Sequence, residues 1–270
     1  MVPMFLAFFF AGSPAYPWGI TKIGEGEHTW EAAPWTAGLP GREDTVYING
    51  EAKVILSGEE TKEAFGIRIG SGLKAIPALD LLESVLKTNY IVVGDAVDAN
   101  GSFVQAGGIL LVEDDGVLGF EIGNPASRPA EPCYAIATFA AGQADLGDFR
   151  VNLRQHRKSR VALFGVLPRV SADSFVFATG TEEEWQPADL QYVLSDAGVA
   201  PLRVQGPVDF GAGDRVRILV DGSKYERGSA VFVLLEAEEI RGDPVDIRHE
   251  GFQQEVEIFV EENRLLLRVK

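Results

Sequence analysis

The short phrase Ile91-Val92-Val93-Gly94 decides the fold, because two variants of it occur in the chain, Ile67-Arg68-Ile69-Gly70 and Phe120-Glu121-Ile122-Gly123. Each phrase ends a run in which apolar and polar residues alternate, and its last residue is a glycine. Short strands that end in glycine every few tens of residues are typical of stacked β-coils, since one coil cannot bury its apolar side alone. The pattern predicts an all-β protein with a short, right-handed parallel β-solenoid (β-helix), followed by an antiparallel β-sandwich-like C-terminal module.

The sequence outside these phrases divides the chain into four parts. We assign residues 1–15 to a signal peptide, 16–44 to a Trp-rich N-terminal cap, 45–180 to the solenoid and 186–270 to the antiparallel module. The last assignment rests on longer alternating runs such as Arg215 to Val220, which are typical of half-buried strands. Within the solenoid, Leu79, Leu82 and Leu86 lie at helical spacing, so a short helix is expected over residues 78–87.

The first residues resemble an export signal. Val2 to Gly12 is almost wholly apolar, and Ser13-Pro14-Ala15 provides small residues for cleavage. The apolar run is shorter than the roughly 20 residues that a membrane-spanning helix needs. No Lys or Arg precedes it, which leaves a buried first strand as the alternative. Export predicts a mature chain that begins near Tyr16, is secreted to the extracellular space or cell surface, and has no stable membrane insertion.

Three of the four tryptophans, Trp18, Trp30 and Trp35, lie just before the first predicted coil. The end of a stacked fold exposes apolar surface and unpaired strand groups, so an aromatic segment there could cover it. The alternative is a platform on which sugar rings stack. We favour the cap, because indoles belong to protein cores more often than to ligand shelves.

The composition limits the classes of partner. The chain has 270 residues and a formal net charge of −16, which disfavours nucleic acid and anionic membranes as main partners. Cys133 is its single cysteine, so a disulfide within the chain and zinc sites built on several thiolates are excluded.

The order of several segments resembles secreted bacterial autotransporter-like β-solenoid proteins, which often carry a PEP-CTERM sorting tail. The resemblance lies in Trp30 to Trp35, in Gly38-Leu39-Pro40-Gly41, in Asp44 to Asn49, and in the coil from Gly101 to Leu110. The sorting tail itself is absent. This resemblance implies an exported or cell-surface protein of unassigned activity, and it transfers no catalytic residue.

A basic island in this acidic chain, residues 150–160, is the candidate ligand site. If the island continues as one strand, alternate side chains project from one face, and their guanidinium groups suit the carboxylates or sulfates of an anionic polysaccharide. The alternative is a solvated turn whose arginines neutralise nearby acids. The candidate glycan-binding residues are Arg150, Asn152, Arg154, His156, Arg157 and Lys158.

Calcium is a weaker candidate ligand. Asp95, Asp98 and Asn100 offer three oxygen side chains in one turn, whereas calcium takes six to eight oxygens. Turn chemistry explains these residues equally well, so no cofactor is predicted.

Two functional hypotheses follow. The first is an exported structural or adhesive protein without a catalytic site, with the extracellular matrix as a candidate partner. The second is a module or lyase that acts on an anionic polysaccharide through the basic island. Self-association through coil edges is a third, separate expectation.

Overall fold

The computed structural model consists of β-strands joined by turns. It describes residues 19–23, 25–70, 76–94, 100–113, 119–123, 133–152, 157–178, 188–210, 216–242, 244 and 246–270. Within these ranges no residue lies in a helix, and the strands form one 16-stranded and one 9-stranded sheet. The predicted signal peptide and Trp18 lie outside the described residues.

The strands alternate with short corners along the whole chain. In chain order they are β1 (Gly19–Ile23), β2 (Glu27–Thr29), β3 (Asp44–Ile48), β4 (Lys53–Leu56), β5 (Thr61–Ile69), β6 (Ala78–Leu81), β7 (Val85–Val93), β8 (Gly101–Gln105), β9 (Ile109–Val112), β10 (Phe120–Ile122), β11 (Cys133–Phe139), β12 (Gln143–Asp145), β13 (Asp148–Asn152), β14 (Arg157–Phe164), β15 (Arg169–Ala172), β16 (Ser174–Ala178), β17 (Ala188–Ser195), β18 (Leu202–Val204), β19 (Pro207–Asp209), β20 (Val216–Lys224), β21 (Ala230–Glu236), β22 (Glu239–Arg241), β23 (Asp246–Glu250), β24 (Val256–Glu261) and β25 (Arg264–Val269).

The chain visits three stacks of parallel strands in turn, and each round forms one coil. The long strands β5 and β7 give their first halves to stack 1 and their second halves to stack 2. Stack 1 continues through β9, β12, β15, β18 and β21, and stack 2 runs from β1 and β3 to β10, β13, β16, β19 and β22. Stack 3 contains β2, β4, β6, β8, β11, β14, β17, β20 and β23. The predicted parallel β-solenoid is therefore confirmed.

The repeated glycine phrase marks the corner between stacks 2 and 3. Gly70, Gly94 and Gly123 all have positive φ, between 78° and 115°, where an L side chain is strained. Each donates its backbone N–H to the preceding coil; Gly94, for example, bonds to Ile69 O at 2.7 Å. Since these glycines end strands that stand in one register, the phrase recurs in the three successive coils that contain β5, β7 and β10.

The core consists of columns of inward side chains that run from coil to coil. In stack 2, Phe120, Phe149 and Phe175 occupy successive register positions and are fully buried. The Phe149 and Phe175 ring centroids lie 4.6 Å apart with the planes at 16°, a stacked pair. Stack 1 has an aliphatic column of Leu86, Leu110, Ala144, Val170, Leu202 and Leu235.

The solenoid begins before the predicted boundary at residue 45, because β1 and β2, which lie within the predicted cap, already pair in parallel with β3 and β4. Trp30 and Trp35 are buried, pack edge to face with centroids 5.1 Å apart, and belong to the same core as the coils. Trp35 also donates from Nε1 to Trp30 O at 2.7 Å. These two indoles are therefore core residues, so neither is exposed for sugar stacking.

The expected helix over residues 78–87 is wrong. The segment contains β6 and the start of β7, with a corner at residues 82–84. Leu79 and Leu86 point into the core from two different strands, whereas Leu82 is partly exposed at the corner. Two strands with a short corner between them thus placed leucines at a spacing that resembles a helix.

Antiparallel pairing begins later than predicted. The strands β17 to β23 continue the parallel stacks beyond residue 186. Among the described strands, antiparallel ladders join only β21 with β25 and β25 with β24. The predicted boundary at residue 186 was wrong for a physical reason. Alternation of apolar and polar residues shows that a strand is half buried, but it does not reveal whether the neighbouring strand is parallel or antiparallel.

Candidate functional site

The basic island does not form one strand, so the single-strand interpretation is wrong. Arg150 and Asn152 belong to β13 in stack 2, whereas Arg157 and Lys158 belong to β14 in stack 3. Arg154 and His156 lie outside the described residues, as do the side chains of Asn152, Arg157 and Lys158. The two described parts of the island therefore belong to strands of different stacks.

Arg150 is held by acidic neighbours. It donates from Nη2 to Asp148 Oδ2 at 3.2 Å, and its Nη1 lies 3.9 Å from Glu121 Oε1. Glu121 is buried and stands directly beside Arg150 in the register of β10 and β13. For this residue, the arrangement favours local neutralisation of charge over an open glycan contact.

The calcium candidates receive no support. Asp95 and Asp98 lie outside the described residues, and Asn100 Oδ1 accepts a hydrogen bond from the backbone N–H of Tyr134 at 2.8 Å. The described part of the chain contains no group of three or more His, Cys, Asp or Glu side chains that could hold a metal ion.

A row of charged side chains lies on the outer side of stack 3, at a place that the sequence did not single out. Arg160, Asp189, Arg217 and Asp246 occupy one register position on the successive strands β14, β17, β20 and β23. Their charges alternate in sign from strand to strand. We call this set the charge ladder.

Asp189 is the centre of the charge ladder and is only 3% exposed. Its Oδ1 accepts from Arg217 Nε at 2.8 Å and lies 2.6 Å from Arg217 Nη2, while its Oδ2 accepts from Arg160 Nη2 at 3.2 Å. A buried carboxylate needs such partners, because an unpaired one carries a large desolvation cost. The ladder therefore ties three neighbouring strands together.

A shallow groove of about 320 Å³ adjoins the charge ladder. Its lining includes the outward residues Arg217 and Leu219 on β20 and Arg248 and Glu250 on β23. Arg248 donates from Nε to Asp246 Oδ2 at 2.7 Å, and this hydrogen bond raises the pKa of Arg248 above its ordinary value.

The last strands of stacks 2 and 3 repeat one pattern. Glu239-Ile240-Arg241 forms β22, and Asp246-Ile247-Arg248 begins β23. In each, the arginine Nη2 lies 2.6 Å from a carboxylate two residues earlier. Charged side chains on edge strands disfavour pairing with a second chain, so the pattern argues against assembly through these two edges.

Sequence reasoning missed the charge ladder because its members are 28 or 29 residues apart where they make contact. The alternation of Arg215 to Val220 indicated a strand but not its neighbours. The spacing between coils varies along the chain, so the sequence alone did not place Asp189 beside Arg217.

Comparison with known proteins adds no further assignment: no protein-family model, no curated protein and no solved structure matches the chain. Among the described residues there is also no helix of the length and apolar character needed to cross a membrane.

Proposed function

We propose that the chain is an exported structural or adhesive β-solenoid of the cell surface or extracellular space, and that it works without a catalytic site. In this role the stacked coils form a stiff body that displays its outer faces. The charge ladder is the observation that carries the proposal, because its arginines and acids are arranged to hold one another across the coils.

The interior supports the same role. The inward columns of stacks 1 and 2 are apolar over many consecutive coils, so each coil is stabilised by its neighbours on both sides. The net charge of −16 keeps such a body soluble and disfavours contact between copies. A protein built to persist outside the cell benefits from both properties.

Export rests on the apolar run from Val2 to Gly12 and on the small residues Ser13 to Ala15. The test is to express the full chain with a C-terminal tag in a bacterial host and to fractionate the cells. We expect tagged protein outside the cytoplasm with an N-terminus near Tyr16, and a control that lacks residues 2–12 should stay in the cytoplasm. Recovery of full-length protein that still begins at Met1, in the cytoplasm alone, would contradict export.

A further inference from the structure

The groove beside the charge ladder has two arginines at one side and two acids at the other. Its outward residues are Gln191 on β17, Arg217, Leu219 and Asp221 on β20, and Arg248 and Glu250 on β23. The volume of about 320 Å³ lies at the lower end of the range for small-ligand sites, so it suits one or two ring-sized units.

Both arginines are fixed by carboxylates that use the same edge of the guanidinium. Asp189 contacts Nε and Nη2 of Arg217, and Asp246 contacts Nε and Nη2 of Arg248. The Nη1 donors of both residues remain outside these contacts. Guanidinium groups held in this way are pre-oriented for a carboxylate, which lowers the entropy cost of binding.

The opposite side of the groove is acidic. Asp221 and Glu250 stand side by side in the register of β20 and β23. Asp221 Oδ1 accepts the Ser223 N–H at 2.9 Å, and the Glu250 carboxylate has no hydrogen-bond partner among the described residues. Carboxylates accept hydrogen bonds from hydroxyl groups but repel other carboxylates. This side therefore suits neutral, hydroxylated units and disfavours a second anion.

We infer that the groove binds a glycan in which acidic and neutral sugar units alternate. The carboxylate of an acidic unit meets Arg217 and Arg248, its neutral neighbour donates hydroxyls to Asp221 and Glu250, and Leu219 gives the ring an apolar floor. Gln191 can both donate to and accept from either unit. The inference deepens the proposed extracellular role and rests on it, because it names the class of partner that the surface would hold.

The groove also predicts discrimination between glycans. A polymer with a carboxylate on every unit would place one of them against Asp221 and Glu250, where like charges repel. Hyaluronan oligosaccharides, in which glucuronic acid alternates with N-acetylglucosamine, should therefore bind more tightly than oligogalacturonate of equal length. Neutral chito-oligosaccharides should bind weakly, since they leave both arginines without an anion.

Titration calorimetry with these three probes and the purified chain tests the inference. Arg248→Ala should weaken hyaluronan binding at least about tenfold, the usual order for loss of a charge-assisted hydrogen bond. The matched control is Arg241→Ala, which removes an arginine of similar exposure and the same ion-pair geometry from β22, outside the groove. It should change the affinity by less than about twofold.

A second variant tests the acidic side of the groove independently of Arg248→Ala, whose effect could come from a change in the fold. Glu250→Gln removes one repelling charge, so it should narrow the preference for hyaluronan over oligogalacturonate. The inference is overturned if the wild-type chain shows no saturable binding to hyaluronan, if oligogalacturonate binds as tightly, or if Arg241→Ala and Arg248→Ala weaken binding equally. All binding experiments use purified protein. A negative result in them would therefore contradict the groove inference and leave the export test unaffected.

Discussion

Among the described residues of stack 3, Asp189 and Arg217 form the closest charge contact between coils: Nη2 of Arg217 lies 2.6 Å from Oδ1 of Asp189, and the Asp189 side chain is almost completely buried. They are neighbours because β17 and β20 are parallel and in register. The parallel stack thus brings into contact two residues that are 28 positions apart in sequence.

Asp189→Asn should destabilise the chain by about 1–3 kcal/mol, because it weakens hydrogen bonds to two arginines that the fold holds in place. The free energy of unfolding in denaturant measures this. The matched control is Asp246→Asn at the exposed end of the ladder, which should cost about 0–1 kcal/mol. Equal costs for the two variants would show that the buried centre of the ladder has no special role.

Phe149→Ala should cost about 3–5 kcal/mol, since it leaves a cavity in the middle of the phenylalanine column. The Phe149 ring is fully buried and stacks on Phe175. Val231→Ala is the control, because Val231 is 57% exposed, and it should change stability by less than about 0.5 kcal/mol. A small effect at Phe149 would mean that the column is loosely packed.

Gly142→Ala should destabilise the chain by about 2 kcal/mol or more, because strain and close contact coincide there. Gly142 has φ of 87°, and an added Cβ would lie 2.4 Å from Gly108 O in the coil below. Backbone atoms of a stacked coil cannot move aside without loss of the ladder. Gly228→Ala, where a Cβ would meet nothing within 4 Å, should be close to neutral in the same thermal melts.

The contact between Glu31 and Lys62 should make part of the stability depend on pH. Lys62 is 7% exposed, heads the aliphatic column of stack 1, and pairs with Glu31 from the cap and with Glu60. The Lys62 hydrogen bond lowers the pKa of Glu31, and the same contact raises the pKa of Lys62.

The sign follows from the lowered carboxyl pKa. The charged form of Glu31 is favoured in the folded state, so its contribution is present above the unfolded carboxyl pKa of about 4.3 and is lost as pH falls through the folded value. Glu31→Gln should therefore destabilise the chain by about 1 kcal/mol at pH 7, and the difference from wild type should shrink at lower pH. Glu59→Gln, an exposed control, should change the stability at pH 7 by less than about 0.5 kcal/mol.

Lys62→Met extends this test. It replaces the ammonium group with an apolar side chain of similar length beside Leu86, so stability should be unchanged or slightly higher. A large loss on Lys62→Met would show that the ion pair itself, and not the filling of the column, holds the cap in place.

The repeated glycine phrase was sufficient to predict the solenoid, because positive φ at Gly70, Gly94 and Gly123 is a local requirement that the sequence displays directly. The helix expected at Leu79 to Leu86 failed because the spacing of apolar residues does not reveal a corner between two strands. The charge ladder and the groove could not be predicted in the same way. They depend on register between coils of unequal length: Val85 pairs with Ile109, 24 residues on, and Ile109 with Gln143, 34 residues on.

The central claim is that the coils stack in parallel, so that each turn of the solenoid advances by the distance between two neighbouring strands. Distances between spin labels test it most directly, in a background with Cys133→Ser. Labels at Glu63→Cys and Arg203→Cys stand five register steps apart in stack 1, through Lys87, Leu111, Asp145 and Ser171. At about 4.8 Å per step, their backbone separation should be about 24 Å, and labels at Lys87→Cys and Arg203→Cys should lie about 4.8 Å closer. A distance that does not shorten between the two pairs, or a broad distribution for both, would contradict the parallel stack.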